Sequence, residues 1–192
     1  MNLAGQLIGA ARRYRGVSGR ALASQTKSSQ TALSELERGA EDATSERIER
    51  LLRALGYQLA MLPTRLTTAA DAAEAIRACV LEADESRALR NIWQLADDLN
   101  DADPALRVAL CITPPAPTTS QRFDALIAAV CEHLLVADNL PTPTWLDESW
   151  RTLKEPWDVD TVPALHERAR ARTPQAISRH GVYLDPRELA SA

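Results

Sequence analysis

The stretch "SGRALASQTKSSQTALSELERG", residues 18–39, decides the fold of the N-terminal part of this 192-residue chain. Its apolar residues come in two short bursts at helical spacing, separated only by small polar residues. Ser18 and Ser29 stand where N-caps open helices, and Gly39 stands where a helix ends. Two helices joined by so short a turn cross at a steep angle. The stretch therefore predicts a helix-turn-helix.

Helices are predicted on both sides of this pair. In the first, residues 3–14, one helical face carries Leu3, Leu7, Ile8, Ala11 and Tyr14. A fourth helix is predicted after Thr44 or Ser45 as its cap, and Gly56 ends it. Residues 57–63, "YQLAMLP", are predicted to form a short strand that Pro63 terminates. Because a lone strand needs a partner, we expect it to pair with a second copy of the chain through Tyr57, Leu59 and Met61.

Charge divides the chain into two parts. Residues 1–63 carry nine Lys and Arg against six acids, and the other 129 residues carry 13 against 20, giving net charges of +3 and −7. Three cysteines, an odd number set far apart in apolar runs, predict buried thiols in a reducing compartment. No run of about 18 apolar residues is present. We therefore expect a cytoplasmic protein that does not enter a membrane.

Three runs carry a family resemblance. They are "S-x-x-x-L-A" (Ser18, Leu22, Ala23), "S-x-x-x-L-S-x-L-E-x-G" (Ser29, Leu33, Ser34, Leu36, Glu37, Gly39) and the closing "LLRALGY". Through them, residues 3–62 resemble the Cro and repressor type of helix-turn-helix, often called the Xre family. Members usually have Gly and an apolar residue in the turn, where this chain has Lys27 and Ser28, so we expect a less tightly packed turn.

The resemblance implies that the third helix lies in the major groove of double-stranded DNA. The candidate base-reading residues are Gln30, Thr31, Ser34 and Glu35. The candidate contacts to the DNA backbone are Arg20, Lys27, Ser29 and Arg38, flanked by Arg12 and Arg13. The resemblance also implies that Glu37 bonds within the domain. A homodimer should bind a near-palindromic operator with half-sites about one helical turn apart.

After a linker at residues 64–68, the composition of residues 69–192 predicts an acidic, all-helical second domain, which makes the fold class all-α apart from the strand. Helices are predicted over 68–85, 86–101, 103–112 with Asp103 as cap, and 120–136. A short helix capped by Thr173 and closed by Gly181 follows, then an extended "VYL" and a last helical turn opened by Asp185.

Trp145, Trp150 and Trp157 have two open interpretations: core residues beneath the helices, or a docking surface for a partner. No catalytic or metal-binding pattern accompanies them, and no cofactor is expected. Cys131 and His133 are two residues apart, so on a helix their side chains diverge and do not share a metal ion. His166 and His180 are predicted to be isolated and exposed.

The tail resembles the endings of some actinobacterial Xre-type regulators that are encoded beside toxin genes. We therefore expect a DNA-binding regulator that acts as an antitoxin, neutralising a basic toxin partner and repressing its own operon. The alternative is a stand-alone repressor or activator whose second domain binds a small ligand or oligomerises; a pocket with one or two charged groups favours it. A third reading, an enzyme with an unrecognised helical site, predicts titratable groups clustered in a deep cleft.

Overall fold

The computed structural model describes residues 3–58 and 65–189, and the chain divides into two compact units, Met1–Pro63 and Thr64–Ala192. Each unit has its own hydrophobic core. The described residues form ten α-helices, two very short strands and three 3-10 turns. The predicted all-helical class with an N-terminal helix-turn-helix is confirmed. No helix in these two ranges is long and apolar enough to span a membrane.

Four helices build the described part of the N-terminal unit: α1 (Leu3–Tyr14), α2 (Gly19–Gln25), α3 (Gln30–Glu37) and α4 (Ser45–Ala54). The predicted N-caps are confirmed. The hydroxyl of Ser18 accepts from the Ala21 N–H at 3.1 Å, and that of Ser29 accepts from the Ala32 N–H at 3.0 Å. Thr44, rather than Ser45, caps α4. Each cap satisfies one backbone donor that a helix N-terminus leaves free.

One side chain or more from every helix enters the core of this unit: Ile8, Leu22, Ala23, Leu33, Leu36, Leu51 and Leu55. Two residues of the apolar face predicted for α1 are exposed to solvent. Leu7 is 39% exposed and Tyr14, the last residue of the helix, is 76% exposed. Ile8 and Ala11, in the middle of the predicted face, pack against the core.

A close approach of backbones sets α1 against α3. A Cβ atom added to Gly5 would lie 1.9 Å from the carbonyl oxygen of Leu36, well inside van der Waals contact. Only glycine permits this distance, because any side chain would push the two helices apart. Gly5 therefore fixes the position of the C-terminal end of α3 against α1.

The predicted dimerising strand falls mostly outside the described residues. Tyr57 and Gln58 are described and are not in a strand. Tyr57 packs against the core, and the Arg15 guanidinium lies 5.5 Å from the centre of its ring. Leu59 and Met61 lie outside the described ranges, so the dimer contact through them stays a prediction.

The second unit contains six helices within residues 65–189: α5 (Ala69–Leu81), α6 (Glu85–Asp101), α7 (Pro104–Ile112), α8 (Gln121–Ala137), α9 (Pro163–Arg172) and α10 (Gln175–Ser178). The first four follow the predicted helices, and Asp103 caps α7 as expected. Helix α8 is the centre of this unit, because most of its residues from Phe123 to Leu135 are buried. Helices α5, α6 and α7 pack around it.

Beyond α8 the chain is mostly irregular, with 3-10 turns at Thr144–Asp147, Ser149–Arg151 and Pro186–Leu189. Two short strands, β1 (Trp157–Asp158) and β2 (Val182–Tyr183), pair in parallel with Trp157 opposite Val182. Thr173 does not cap α10 as predicted. Its hydroxyl oxygen lies 2.8 Å from the Ala169 carbonyl oxygen, to which it donates, and accepts from the Leu184 N–H at 3.2 Å, so it ties the end of α9 to the chain after β2.

Candidate nucleic-acid interface

The turn between α2 and α3 is held by hydrogen bonds from both of its ends. Thr26 is buried, and its hydroxyl donates to the Leu22 carbonyl at 2.8 Å. The Ser28 N–H donates to the Ala23 carbonyl at 2.9 Å. Between them, Lys27 has φ +53°, in the left-handed region that favours glycine. Glycine adopts this conformation without strain, whereas lysine does not.

The buried and exposed faces of α3 divide its residues cleanly. Leu33 and Leu36 are 1% and 0% exposed and anchor the helix in the core. Gln30, Thr31 and Ser34 are exposed on the opposite side. The structure therefore brings these three predicted base-reading residues together on one open face at the start of the helix. Glu35 is half-buried, unlike the other three.

Several cationic side chains of the N-terminal unit are exposed. Arg13, Arg20 and Lys27 are exposed, and within residues 3–58 none of them forms an ion pair. Arg38 is also exposed and its Nε donates to the Ser34 carbonyl at 3.2 Å, near the end of α3. Unpaired exposed cations beside a helix N-terminus suit the phosphates of a nucleic acid.

Arg12 differs from the other predicted backbone contacts. Its Nε and Nη2 donate to the two carboxylate oxygens of Glu37 at 2.7 and 2.8 Å, and its Nη1 donates to the Val17 carbonyl at 3.0 Å. The two side chains are only 17% and 12% exposed. The hydrogen bonds that Arg12 donates to Glu37 raise the pKa of Arg12 above its ordinary value. Arg12 thus joins α1 to α3 inside the unit, and Glu37 bonds within the domain as the resemblance implied.

The three tryptophans of the predicted partner surface lie in different environments. Trp145 is 3% exposed and its indole N–H donates to the Cys111 carbonyl at 2.8 Å, so it is a core residue, and its prediction as a docking residue is corrected. Trp150 is 36% exposed. Trp157 is half-buried, with the edge of Phe123 at 6.0 Å between ring centres.

A groove of about 460 Å³ runs beside Trp157. Its lining includes the cations Arg122 and Lys154 and one acid, Glu155. The Arg122 guanidinium lies 5.7 Å from the centre of the Trp157 ring. Although residues 64–192 are acidic as a whole, this groove is locally basic and aromatic.

Arg151 holds the neighbouring loops together and was not found from the sequence. It is 1% exposed, lies between Trp145 and Trp150 at 4.7 and 3.9 Å from their ring centres, and donates to the Pro115 carbonyl at 2.6 Å. Its Nε donates to Glu148 at 3.0 Å. Burial lowers the pKa of this guanidinium from its ordinary value. The sequence does not mark this arginine as buried, because the Pro115 carbonyl that it binds lies 36 residues earlier in the chain.

The prediction that His180 is exposed is wrong. It is 0% exposed, and its Nε2 lies 2.7 Å from a carboxylate oxygen of Glu132 on α8. Its Nδ1 lies 2.9 Å from the Arg151 carbonyl. Arg179 binds the other oxygen of Glu132 at 2.9 Å. This cluster joins the C-terminal segment to α8, and it is a packing feature rather than an open site.

Within the described ranges, no group of three or more His, Cys, Asp or Glu side chains is placed to bind a metal ion. His166 is half-buried and bonds the Asp160 carbonyl at 2.7 Å, so it too is less exposed than predicted.

Cys79, Cys111 and Cys131 are buried free thiols, as expected. Hydrogen bonding to Cys111, together with burial, raises the pKa of Cys131 above its ordinary value.

Residues 3–64 match the family model of a helix-turn-helix domain, about a third of the chain. No curated protein and no solved structure gave a significant match to the chain. The family match and the geometry of α2, the turn and α3 define the N-terminal unit as a helix-turn-helix domain. They support a DNA-binding regulator, a class that is typically not enzymatic.

Proposed function

We propose that this protein is a homodimeric, sequence-specific regulator of transcription that reads a near-palindromic operator through α3. One observation carries the proposal: Gln30, Thr31 and Ser34 stand exposed on one face of a helix whose other face is fixed in the core. A helix presented in this way fits the major groove, where base edges display distinct donors, acceptors and methyl groups. It would act in the compartment that holds the DNA.

Each exposed residue of α3 has chemistry that suits a base edge. The Gln30 amide matches the paired donor and acceptor of adenine, and the Thr31 methyl packs on the thymine methyl. The Ser34 hydroxyl bonds to any base. Glu35 accepts from the cytosine amino group, and its half-buried position limits it to a secondary reader.

The proposed contacts to the DNA backbone come from exposed cationic side chains and from the ends of α3. Arg20, Lys27 and Arg13 are exposed and form no ion pair within residues 3–58, and Arg38 and Ser29 lie at the two ends of α3. Arg12 is left out, because its guanidinium is committed to Glu37. These contacts position the helix in any sequence, whereas α3 distinguishes one sequence from another.

The test is selection of bound duplexes from a random DNA library with the full chain, followed by sedimentation of the free protein. The proposal expects one enriched near-palindrome with half-sites about 34 Å apart, and a dimer in solution. The dimer contact is assigned to the segment that begins at Tyr57 and contains Leu59 and Met61. Enrichment of no sequence, or a monomer on a single half-site, would contradict the proposal.

For the second unit we propose the role of an antitoxin that binds a toxin protein. The acidic balance of residues 64–192 and two accessible tryptophans, Trp150 and Trp157, support a protein partner over a purely structural role. The resemblance of the tail to regulators encoded beside toxin genes points the same way. Because the groove beside Trp157 is basic, we expect the partner to place acidic side chains against this groove, even if the partner is basic overall.

Purification of the tagged chain from its native host and mass spectrometry of what stays bound tests this role. A stoichiometric protein whose gene is adjacent supports it. Trp150→Ala should then release the partner and leave DNA binding intact, whereas Leu81→Ala, which removes another exposed apolar side chain, should do neither. Recovery of the chain alone, with DNA binding intact, would contradict the antitoxin role.

A further inference from the structure

The C-terminal unit contains a cleft between α9 and the 3-10 turn at Pro186–Leu189. Its volume is about 270 Å³. Leu165 and Arg168 line it from α9, Arg187 and Glu188 line it from the turn, and Asp160 closes one side. The cleft is distinct from α3 and from the groove beside Trp157, and neither proposed role of the protein uses it.

Two cations and three acids line the cleft. Arg168, Arg187, Asp160 and Glu188 form no ion pair within the described ranges. A fifth charged residue, Asp185, is neutralised by Arg172 at 3.0 Å. The cleft therefore offers two guanidinium groups and two carboxylates that no ion pair occupies, and one oxygen of Asp160 also accepts from the Val162 N–H at 2.7 Å.

An apolar wall completes the lining. Leu165 is 42% exposed although it is a large apolar side chain, and Ala169 beside it is buried. Exposed apolar surface next to opposed charges is typical of a small-molecule site, in which a few polar groups orient a ligand. The volume lies just below the range for drug-sized ligands, about 300–1,000 Å³, so the ligand is smaller than that class.

We propose that this cleft binds a small zwitterion of the free amino-acid type. Its carboxylate pairs with Arg168 and Arg187, its ammonium pairs with Asp160 and Glu188, and its side chain packs on Leu165. A simple anion is repelled by the two carboxylates and a simple cation by the two arginines, whereas a zwitterion satisfies both pairs. The proposal goes beyond DNA binding and does not depend on it, because the cleft lies wholly within the second unit.

The experiment is an amide NMR titration of the full chain with glycine, L-alanine, L-leucine and L-phenylalanine as probes. We expect at least one of them to shift the resonances of Ala169 and Glu188 in a saturable way at concentrations up to about 10 mM, the range of weak small-ligand binding. The best probe is then compared with its N-acetyl derivative, which lacks the ammonium group, and with its amide, which lacks the carboxylate. Each blocked compound should bind at least about tenfold more weakly.

Variants separate a site from a surface effect. Arg168→Ala and Glu188→Gln should each weaken binding at least about tenfold. The matched control is Arg90→Ala, which removes from α6 an exposed arginine that forms no ion pair among the residues described, and it should leave the affinity unchanged. Unchanged tryptophan fluorescence shows that each variant is folded, since all four tryptophans lie in the second unit.

Three results would overturn the proposal: no saturable shift with any of the four probes, equal binding of a blocked compound, or equal affinity of Arg168→Ala and Arg90→Ala. Operator binding is measured on the same samples. Operator binding tests the proposed function of α3, and its result does not depend on the result of the amino-acid titration.

Discussion

The ion pair between Arg12 and Glu37 should determine how firmly α3 is held, and Glu37→Gln tests it. The substitution keeps the shape of the side chain and removes its charge and one strong acceptor. In the native unit, the two hydrogen bonds of 2.7 and 2.8 Å join α1 to α3 with little exposure to solvent. Solvent screening of this pair is therefore weaker than at an open surface.

The magnitude follows from the geometry. A hydrogen bond to a charged group contributes about 1.5–3 kcal/mol, and a neutral amide can replace only part of this bidentate pair. We expect Glu37→Gln to lower the free energy of unfolding of the N-terminal unit by about 2 kcal/mol. For a domain of 60–100 residues, this corresponds to a fall in Tm of about 8–16 °C.

Hydrogen exchange of the full chain provides the assay. The amides of Leu33 and Leu36 in α3 should exchange about 30-fold faster in the variant, because every 1.4 kcal/mol is a factor of ten. Tryptophan fluorescence, which reports only on the second unit, should give an unchanged urea transition. The matched control is Glu49→Gln in the same unit, where the partner Arg53 is 68% exposed and Glu49 is 46% exposed.

The control should change the stability by less than about 0.5 kcal/mol, as expected of an exposed pair four residues apart. Equal effects of Glu37→Gln and Glu49→Gln would refute the reasoning. The double variant Arg12→Met/Glu37→Met should be more stable than either single variant, because removing one partner leaves a partly buried charge unpaired.

Three further predictions concern the turn, a buried cation and a carboxylate. Lys27→Gly should raise the stability of the N-terminal unit by about 0.5–1 kcal/mol, since φ +53° is strained for lysine. The same variant loses a cation and should weaken binding to DNA of any sequence. No gain in Tm would contradict the strain argument. Arg151→Met should lower the free energy of unfolding of the second unit by about 2–3 kcal/mol, as measured by tryptophan fluorescence in urea, and Arg122→Met at the surface should not. Hydrogen bonds from Arg170 lower the pKa of Asp158. The stability that this carboxylate contributes is therefore complete above the ordinary Asp pKa and is lost as the pH falls below about 4. Asp158→Asn should flatten that part of the stability profile against pH, measured by urea titration, and an unchanged profile would contradict the assignment.

Local signals made the helix-turn-helix predictable from the sequence. Ser18, Ser29 and Thr44 each precede an apolar run, and a hydroxyl at that position satisfies free amides whatever the rest of the fold does. The anchors Leu33 and Leu36 follow from helical spacing. The exposure of Gln30, Thr31 and Ser34 then follows, because residues outside the apolar stripe face away from the core.

Features that depend on distant parts of the chain were missed. His180 is buried because Glu132, 48 residues earlier, provides its partner, and no local pattern reports such a pair. Arg12 carries the same charge as Arg13, and only the position of Glu37 distinguishes a structural cation from an exposed one. Helix α9 was not predicted, because its charges and small residues show almost no apolar face and only Ala169 is buried.

The most direct test of the central claim is the affinity of Gln30→Ala and Arg20→Ala for the selected operator and for its single-base variants, measured by fluorescence anisotropy at several salt concentrations. The account predicts that Gln30→Ala loses about 1–3 kcal/mol and becomes indifferent to one base position. Arg20→Ala should weaken all sequences alike and reduce the salt slope by about 1. Equal, sequence-independent losses in the two variants would contradict the reading of DNA by α3.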